Sequence, residues 1–311
     1  MKALIDFDAA PVFGIPLRDG TGVHEGMLIE GPQGWGEFSP PSDGDDREAA
    51  RWLTAAVEGG TVGWPDPLRG RIPIAVTVPA VAPAAARDLV TDSGCLTAEV
   101  TVATDHGSLA DDVVRIEAVR DALGPGGRIR LDANGMWSID DAVSAIAVLA
   151  KAAGELEFVG QPCRTVDEVA AVRRQVDVRI ASDVPSAEAA DVAILRIGPL
   201  GGVRRALRVA ERLGLACVVS SSGETSIGLA SGLALAGALP ELPFACALGT
   251  MALLAGDVVV PRRSLRPADG YLPVAPMPAS PDPALVERYA LTDVERIDWW
   301  RRRLRSAQTT T

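Results

Sequence analysis

Val178-Arg179-Ile180-Ala181-Ser182-Asp183 and Val192-Ala193-Ile194-Leu195-Arg196, with only Val184 to Asp191 between them, decide how the chain is read. Each run is short, β-rich and nearly continuous in apolar character until a charged residue closes it. That is the pattern of a parallel strand buried on both faces. Working outward, the same pattern recurs at Ile74–Val78, Ala98–Val102, Ile129–Asp132, Leu156–Val159, Cys217–Ser220 and Phe244–Leu248. Helical segments separate most of these runs, and two open on capping boxes, Ser138-x-x-Asp141 and Thr165-x-x-Glu168. Eight βα steps favour a closed (β/α) barrel over an open doubly wound sheet. The link from Val184 to Asp191 stands apart, being too short for an ordinary crossover helix.

The chain before the first of these strands has a different texture. Gly26–Gly31 and Gly34–Phe38 read as a hairpin, and Asp45 to Glu58 carries helical spacing at Ala49, Trp52, Leu53 and Val57. Gly63-Trp64-Pro65-Asp66-Pro67 marks a boundary. The expected organisation is an α+β cap over residues 1–66 with a return near 265–283, a barrel over 67–264 and a helical extension over 284–311. In that extension Thr292-x-x-Glu295 reads as a capping box, with Val294, Ile297, Trp300 or Arg301, and Leu304 at helical spacing. Such a helix packs on the body or on a second subunit, so a homo-oligomer stays open.

Composition narrows the function classes. The 311 residues are 48% hydrophobic and carry a formal charge of −11, which argues against nucleic acid and anionic membranes as partners. Met1 to Leu17 lacks a basic n-region and holds Asp6 and Asp8, so no signal peptide is expected, and no apolar run is long enough to span a bilayer. Cys95, Cys163, Cys217 and Cys246 match neither CxxC nor zinc spacing and read as buried thiols of a reduced cytoplasm. Lysine occurs only at Lys2 and Lys151, which nearly removes lysine chemistry. The partner these features leave is a small-molecule substrate.

In a barrel the chemistry gathers at the C-terminal ends of the strands. Asp132 and Asp183 end apolar strands, where a charge is costly unless it is paired or bound to a cation. Two readings stay open for them: hard-cation ligands, or N-caps and ion pairs with Arg128, Arg130, Arg179 or Arg196. Ser220-Ser221-Ser222-Gly223 reads either as an anion-binding nest or as an N-cap turn. His24 and His106 lie in loops and titrate near neutrality, although an ordinary surface role is the commoner fate of such residues.

The segments Asp132-x-Asn134-Gly-x-Trp, Gln161-Pro162-Cys163, Arg196-x-x-Pro199-Leu-Gly-Gly and Ser220-Ser221-x-x-Glu224-Thr225-Ser226, with Gly34-Trp35-Gly36-Glu37-Phe38-Ser39-Pro40, resemble the enolase superfamily. Within it they are most similar to o-succinylbenzoate synthases of actinobacterial type, muconate-lactonizing-enzyme-like barrels. The resemblance runs to about Pro273 and implies a modified (β/α)7β barrel closed by an α+β cap. It also implies a divalent metal, usually Mg2+, on three strand-end carboxylates, and two opposed lysines on strands two and six. Those parts together remove a proton next to a carboxylate.

The sequence departs from that pattern at its centre. The strand-two lysines are Glu99 and Thr101, the strand-four ligand is Gly160, the acidic neighbour after Asp183 is Val184, and the strand-six lysine is Arg196. The loop from Arg18 to His24 and the stretch after Asp183 are also shorter than the pattern. These departures predict a repurposed lyase, isomerase or cyclase acting on a specialised metabolite, pericyclic cyclisation included. The alternatives are a non-catalytic ligand-binding relative and an unorthodox o-succinylbenzoate synthase. Glu99, Arg196 and His106 are the expected catalytic groups, with Glu99 facing Arg196 across the barrel. Asp132 and Asp183 form a weak or lost metal site, so no cofactor is expected unless Mg2+ is retained. Thr101, Asn134, Gly160, Ser220, Ser221, Ser222, Gly249 and His24 are the expected substrate contacts.

Overall fold

The computed structural model describes residues 5–104, 107–183, 186 and 188–310. Strands β1 (Val12–Pro16), β2 (Val23–Gly31) and β3 (Gly34–Phe38) form an antiparallel sheet, and helix α1 (Asp46–Thr61) packs on it. The hairpin turns at Pro32-Gln33, as the alternation predicts. Asp45 caps α1 by accepting from the Glu48 amide at 2.7 Å. The sheet and helix lie close because Gly36 has no side chain: a Cβ there would sit 2.0 Å from the Ala56 carbonyl oxygen.

The barrel follows in chain order. Its elements are β4 (Arg71–Pro73), β5 (Ala75–Val78), α2 (Pro83–Ser93), β6 (Thr97–Thr101), α3 (Leu109–Leu123), β7 (Arg128–Asp132), α4 (Ile139–Ala153), β8 (Leu156–Gly160), α5 (Val166–Arg173), β9 (Ile180–Ser182), β10 (Val192–Leu195), α6 (Ile197–Leu200), α7 (Val203–Leu213), β11 (Ala216–Val219) and α8 (Ser226–Ala238). Seven parallel strands run in the order β11-β10-β9-β8-β7-β6-β5. The eighth expected strand, Phe244–Leu248, is only a pair of bridges, Cys246 to Ile74 and Ala247 to Ser220, and these close the ring. No helix lies between β9 and β10 among the described residues, yet the two pair in parallel.

Strand β12 (Tyr271–Pro273) pairs with β4, after which come α9 (Pro283–Arg288) and α10 (Val294–Thr310). Helix α10 forms where expected and buries Trp300, Leu304 and Ala307 against Phe38, Trp52 and Leu53. Two details differ from the sequence reading. Asp293, not Thr292, meets the free Arg296 amide, at 3.1 Å, and Val294 is exposed rather than on the packed face. Among the described residues no helix is long and apolar enough to cross a membrane.

Candidate active site

The barrel interior is polar on one side. Thr77, Glu99 and Arg130 are register neighbours on β5, β6 and β7. The register of β8 shifts opposite Arg130, in the interval between Ile129 and Leu131, and both Glu157 and Phe158 approach its guanidinium. That group is fully buried; it donates from Nε to Glu99 at 2.8 Å and from Nη1 to the Ala245 carbonyl at 2.7 Å. A buried guanidinium persists only beside such acceptors. Glu99 is therefore held by Arg130 and is not a free carboxylate facing Arg196.

One layer higher, Thr101, Asp132 and Gly160 align across β6, β7 and β8. Asp132 accepts from the Asn134 amide at 3.0 Å. Burial, and after it the charge of Glu99, pushes the Asp132 carboxyl up to about 6, against the pull of Arg196 and the Asn134 N–H. Asn134 and Gln161 take left-handed backbone conformations, with φ of 49° and 47°, as the strand ends turn toward the mouth. Asp183 accepts from Arg196 Nη1 and Gln161 Nε2, while its amide donates to Gln161 Oε1 at 3.1 Å. Asp183 thus forms an ion pair with Arg196, one of the four arginines named for it.

The loop after β11 binds the cap. Glu37, on β3, is buried and accepts from the amides of Thr225 and Gly228, the hydroxyls of Thr225 and Ser39, and His24 Nε2 at 2.8 Å. Burial opposes charge on both partners of that last bond. Their mutual contact wins, raising the histidine and lowering the carboxyl. Ser221 Oγ donates to Glu224 at 2.6 Å, and Glu224 also accepts from the Ser222 amide at 2.8 Å. The serine nest is thus filled by its own chain, and Thr225 caps α8 by accepting from the Ile227 amide. The cap of the helix is Thr225 and not one of the serines. Ser220 is buried below the loop, and Gly249 abuts β5, where a Cβ would lie 3.0 Å from the Ala75 carbonyl oxygen. His106 lies outside the described residues.

These elements enclose a cleft of about 750 Å3 between cap and barrel. Its walls include His24, Asn134, Asp183, Arg196, Ser221 and Ser222, all expected at the site from the sequence, and also Glu25, Arg296 and Trp300, which were not expected there. Glu99, Asp132, Thr101 and Gly160 are not on that wall. The missed trio had a faint signal: Arg296 lies one helical turn before Trp300, on the buried face of a helix.

Residues 12–60 match the model described as enolase N-terminal domain-like, and residues 82–278 match the one described as enolase C-terminal domain-like. The chain belongs to the enolase superfamily. Among superfamily structures, the L-Ala-D/L-Glu epimerase from Bacillus subtilis superposes with a TM-score of 0.73 at 21% identity, covering 90% of this chain and 98% of that one. The muconate lactonizing enzyme from Pseudomonas putida gives 0.73 at 16%, covering 92% and 99%. Likeness at that level establishes the barrel and nothing finer.

Sequence relatives are much nearer. The o-succinylbenzoate synthase of Thermobifida fusca is 51% identical over 301 residues, 92% of each chain. That of Mycolicibacterium smegmatis is 45% identical over 304 residues, 93% of this chain and 92% of its own. These relatives overturn the expectation of a repurposed lyase, isomerase or cyclase outside o-succinylbenzoate synthesis. The expectation rested on a few centre positions, whereas the identity extends over 92% of the chain.

A superfamily barrel implies a divalent cation, and the residues at this mouth fit one poorly. Hard cations need several carboxylate oxygens. Gly160 supplies none, and Asp183 is committed to Arg196 and Gln161. Among the described residues no group of three or more His, Cys, Asp or Glu side chains is placed to hold a metal.

Proposed function

We propose that this chain forms o-succinylbenzoate by dehydrating a cyclic hydroxy-acid precursor at the mouth of the barrel. The observation that carries the reading is the Thermobifida fusca relative, 51% identical across 92% of both chains and named for that product. Arg196, on the cleft wall, receives the substrate carboxylate in place of Asp183 or beside it. Its guanidinium stays charged and offsets the negative charge that develops when the neighbouring C–H bond breaks. Asp132 lies just behind the wall formed by Asn134, Asp183 and Arg196, close enough for the Arg196 charge to act on its carboxyl. It takes that proton from a substrate that reaches past Asn134: a carboxyl near 6 is mostly ionised at neutral pH and still basic enough to act. The electron pair passes into the ring, the C–O bond breaks, and Asp132 returns the proton to the departing hydroxide. One water leaves, the ring becomes aromatic and the enzyme regains its starting state.

The substrate is then a small dicarboxylate. Four unpaired buried cysteines support placing the reaction in the cytoplasm. Arg196→Ala and Asp132→Asn are the tests. Each should lower kcat by about 100-fold or more while the protein stays folded. Turnover retained in both would remove these residues from the mechanism.

A further inference from the structure

Helix α10 lies beyond the last residue matched by the superfamily models, yet it builds part of the cleft wall. Trp300 is buried and donates from its indole to Glu25 Oε2 at 2.9 Å. Arg296 donates from Nε to the same oxygen. Its guanidinium lies 4.2 Å over the Trp299 ring, which fixes the plane of the fork. With Nε occupied and the plane set, Nη1 and Nη2 donate to no protein atom among the described residues, and the side chain borders the cleft. A guanidinium oriented by one carboxylate and one ring, with both terminal amines open, is prepared for a second carboxylate.

We propose that Arg296 is a substrate-binding residue that holds the succinyl-chain carboxylate at the rim of the cleft, while Arg196 holds the ring carboxylate at its floor. This rests on the o-succinylbenzoate reading and adds to it a residue that sets specificity. Glu25, on β2, then acts as a positioning residue, because it points Arg296 and Trp300 from the cap side.

Binding of three ligands to the full chain tests the proposal: o-succinylbenzoate, benzoylpropionate, which lacks the ring carboxylate, and o-butyrylbenzoate, which lacks the chain carboxylate. Calorimetry is run on wild type, Arg296→Met and Arg296→Gln. The glutamine variant keeps an N–H for Glu25 and guards against misfolding of the methionine variant. Both variants should weaken o-succinylbenzoate and benzoylpropionate by roughly 10- to 100-fold and leave o-butyrylbenzoate unchanged. Equal losses for all three ligands, or no loss, overturn the anchor while wild-type binding leaves the functional reading standing. Wild type that binds none of the three overturns the functional reading and the anchor with it.

Discussion

Asp183 shows how far a residue can be read before its neighbours are known. Its position at the end of an apolar strand announced a charge that needed a partner, but Arg196 and Gln161 were fixed only by the fold. Glu99 is the converse case, because its partner Arg130 is its register neighbour on the next strand. The sequence reading placed Glu99 opposite Arg196, while its direct partner stands on the strand beside it. Since Arg196 neutralises Asp183 and Gly160 adds no oxygen, Mg2+ binding at neutral pH should be weaker than about 0.1 mM by calorimetry. Micromolar affinity would show that Arg196 swings away and yields the carboxylate.

The His24–Glu37 bond carries its own pH signature. Glu37 is lowered from 4.5, so its stabilisation is present above that pH and is lost as pH falls through its folded value. His24 is raised from 6.5, so its contribution is complete below that pH and fades as pH rises through its folded value. The melting-temperature gap between wild type and His24→Gln should be widest between 4.5 and 6.5 and close in alkali. A gap independent of pH would mean that the pair carries no charge.

At the scale of elements, the sequence pattern was informative wherever burial repeats regularly. The strands β5 to β11 and the helices α1, α4, α5 and α10 lie where apolar runs and caps put them. Phe244–Leu248 shows the limit: two of its residues enter the ladder, enough to close the barrel but too few to make a strand. Apolar character measures burial, and it does not count the backbone bonds a segment finds. The capping error at α10 has a similar origin, since Thr292 and Asp293 are both good caps and one residue of chain path decides between them. The joint between β3 and α1 gives the sharpest test of element packing. Gly36→Ala would drive a methyl group into the Ala56 carbonyl and should cost about 1–3 kcal/mol. An unchanged melting temperature would mean that the helix and sheet are free to separate there.

For the whole molecule, cap, barrel and C-terminal helix meet at one cleft. Glu37 ties the cap to the loop after β11, Trp300 joins α10 to β2, and Arg196 stands on the barrel wall between them. The architecture was readable from the sequence because many positions vote for it. Activity is harder to read, because four centre positions, Glu99, Thr101, Gly160 and Arg196, depart from the superfamily pattern while similarity to o-succinylbenzoate synthases runs along most of the chain. A site works through its assembled charges, and carboxylates with an arginine offer another way to hold and move a proton than two lysines. The direct measurement is to incubate the purified protein with the hydrated precursor and follow the aromatic protons of o-succinylbenzoate by NMR. The account predicts steady formation of o-succinylbenzoate, reduced about 100-fold or more by Arg196→Ala; precursor left unconsumed by folded wild-type protein would contradict it.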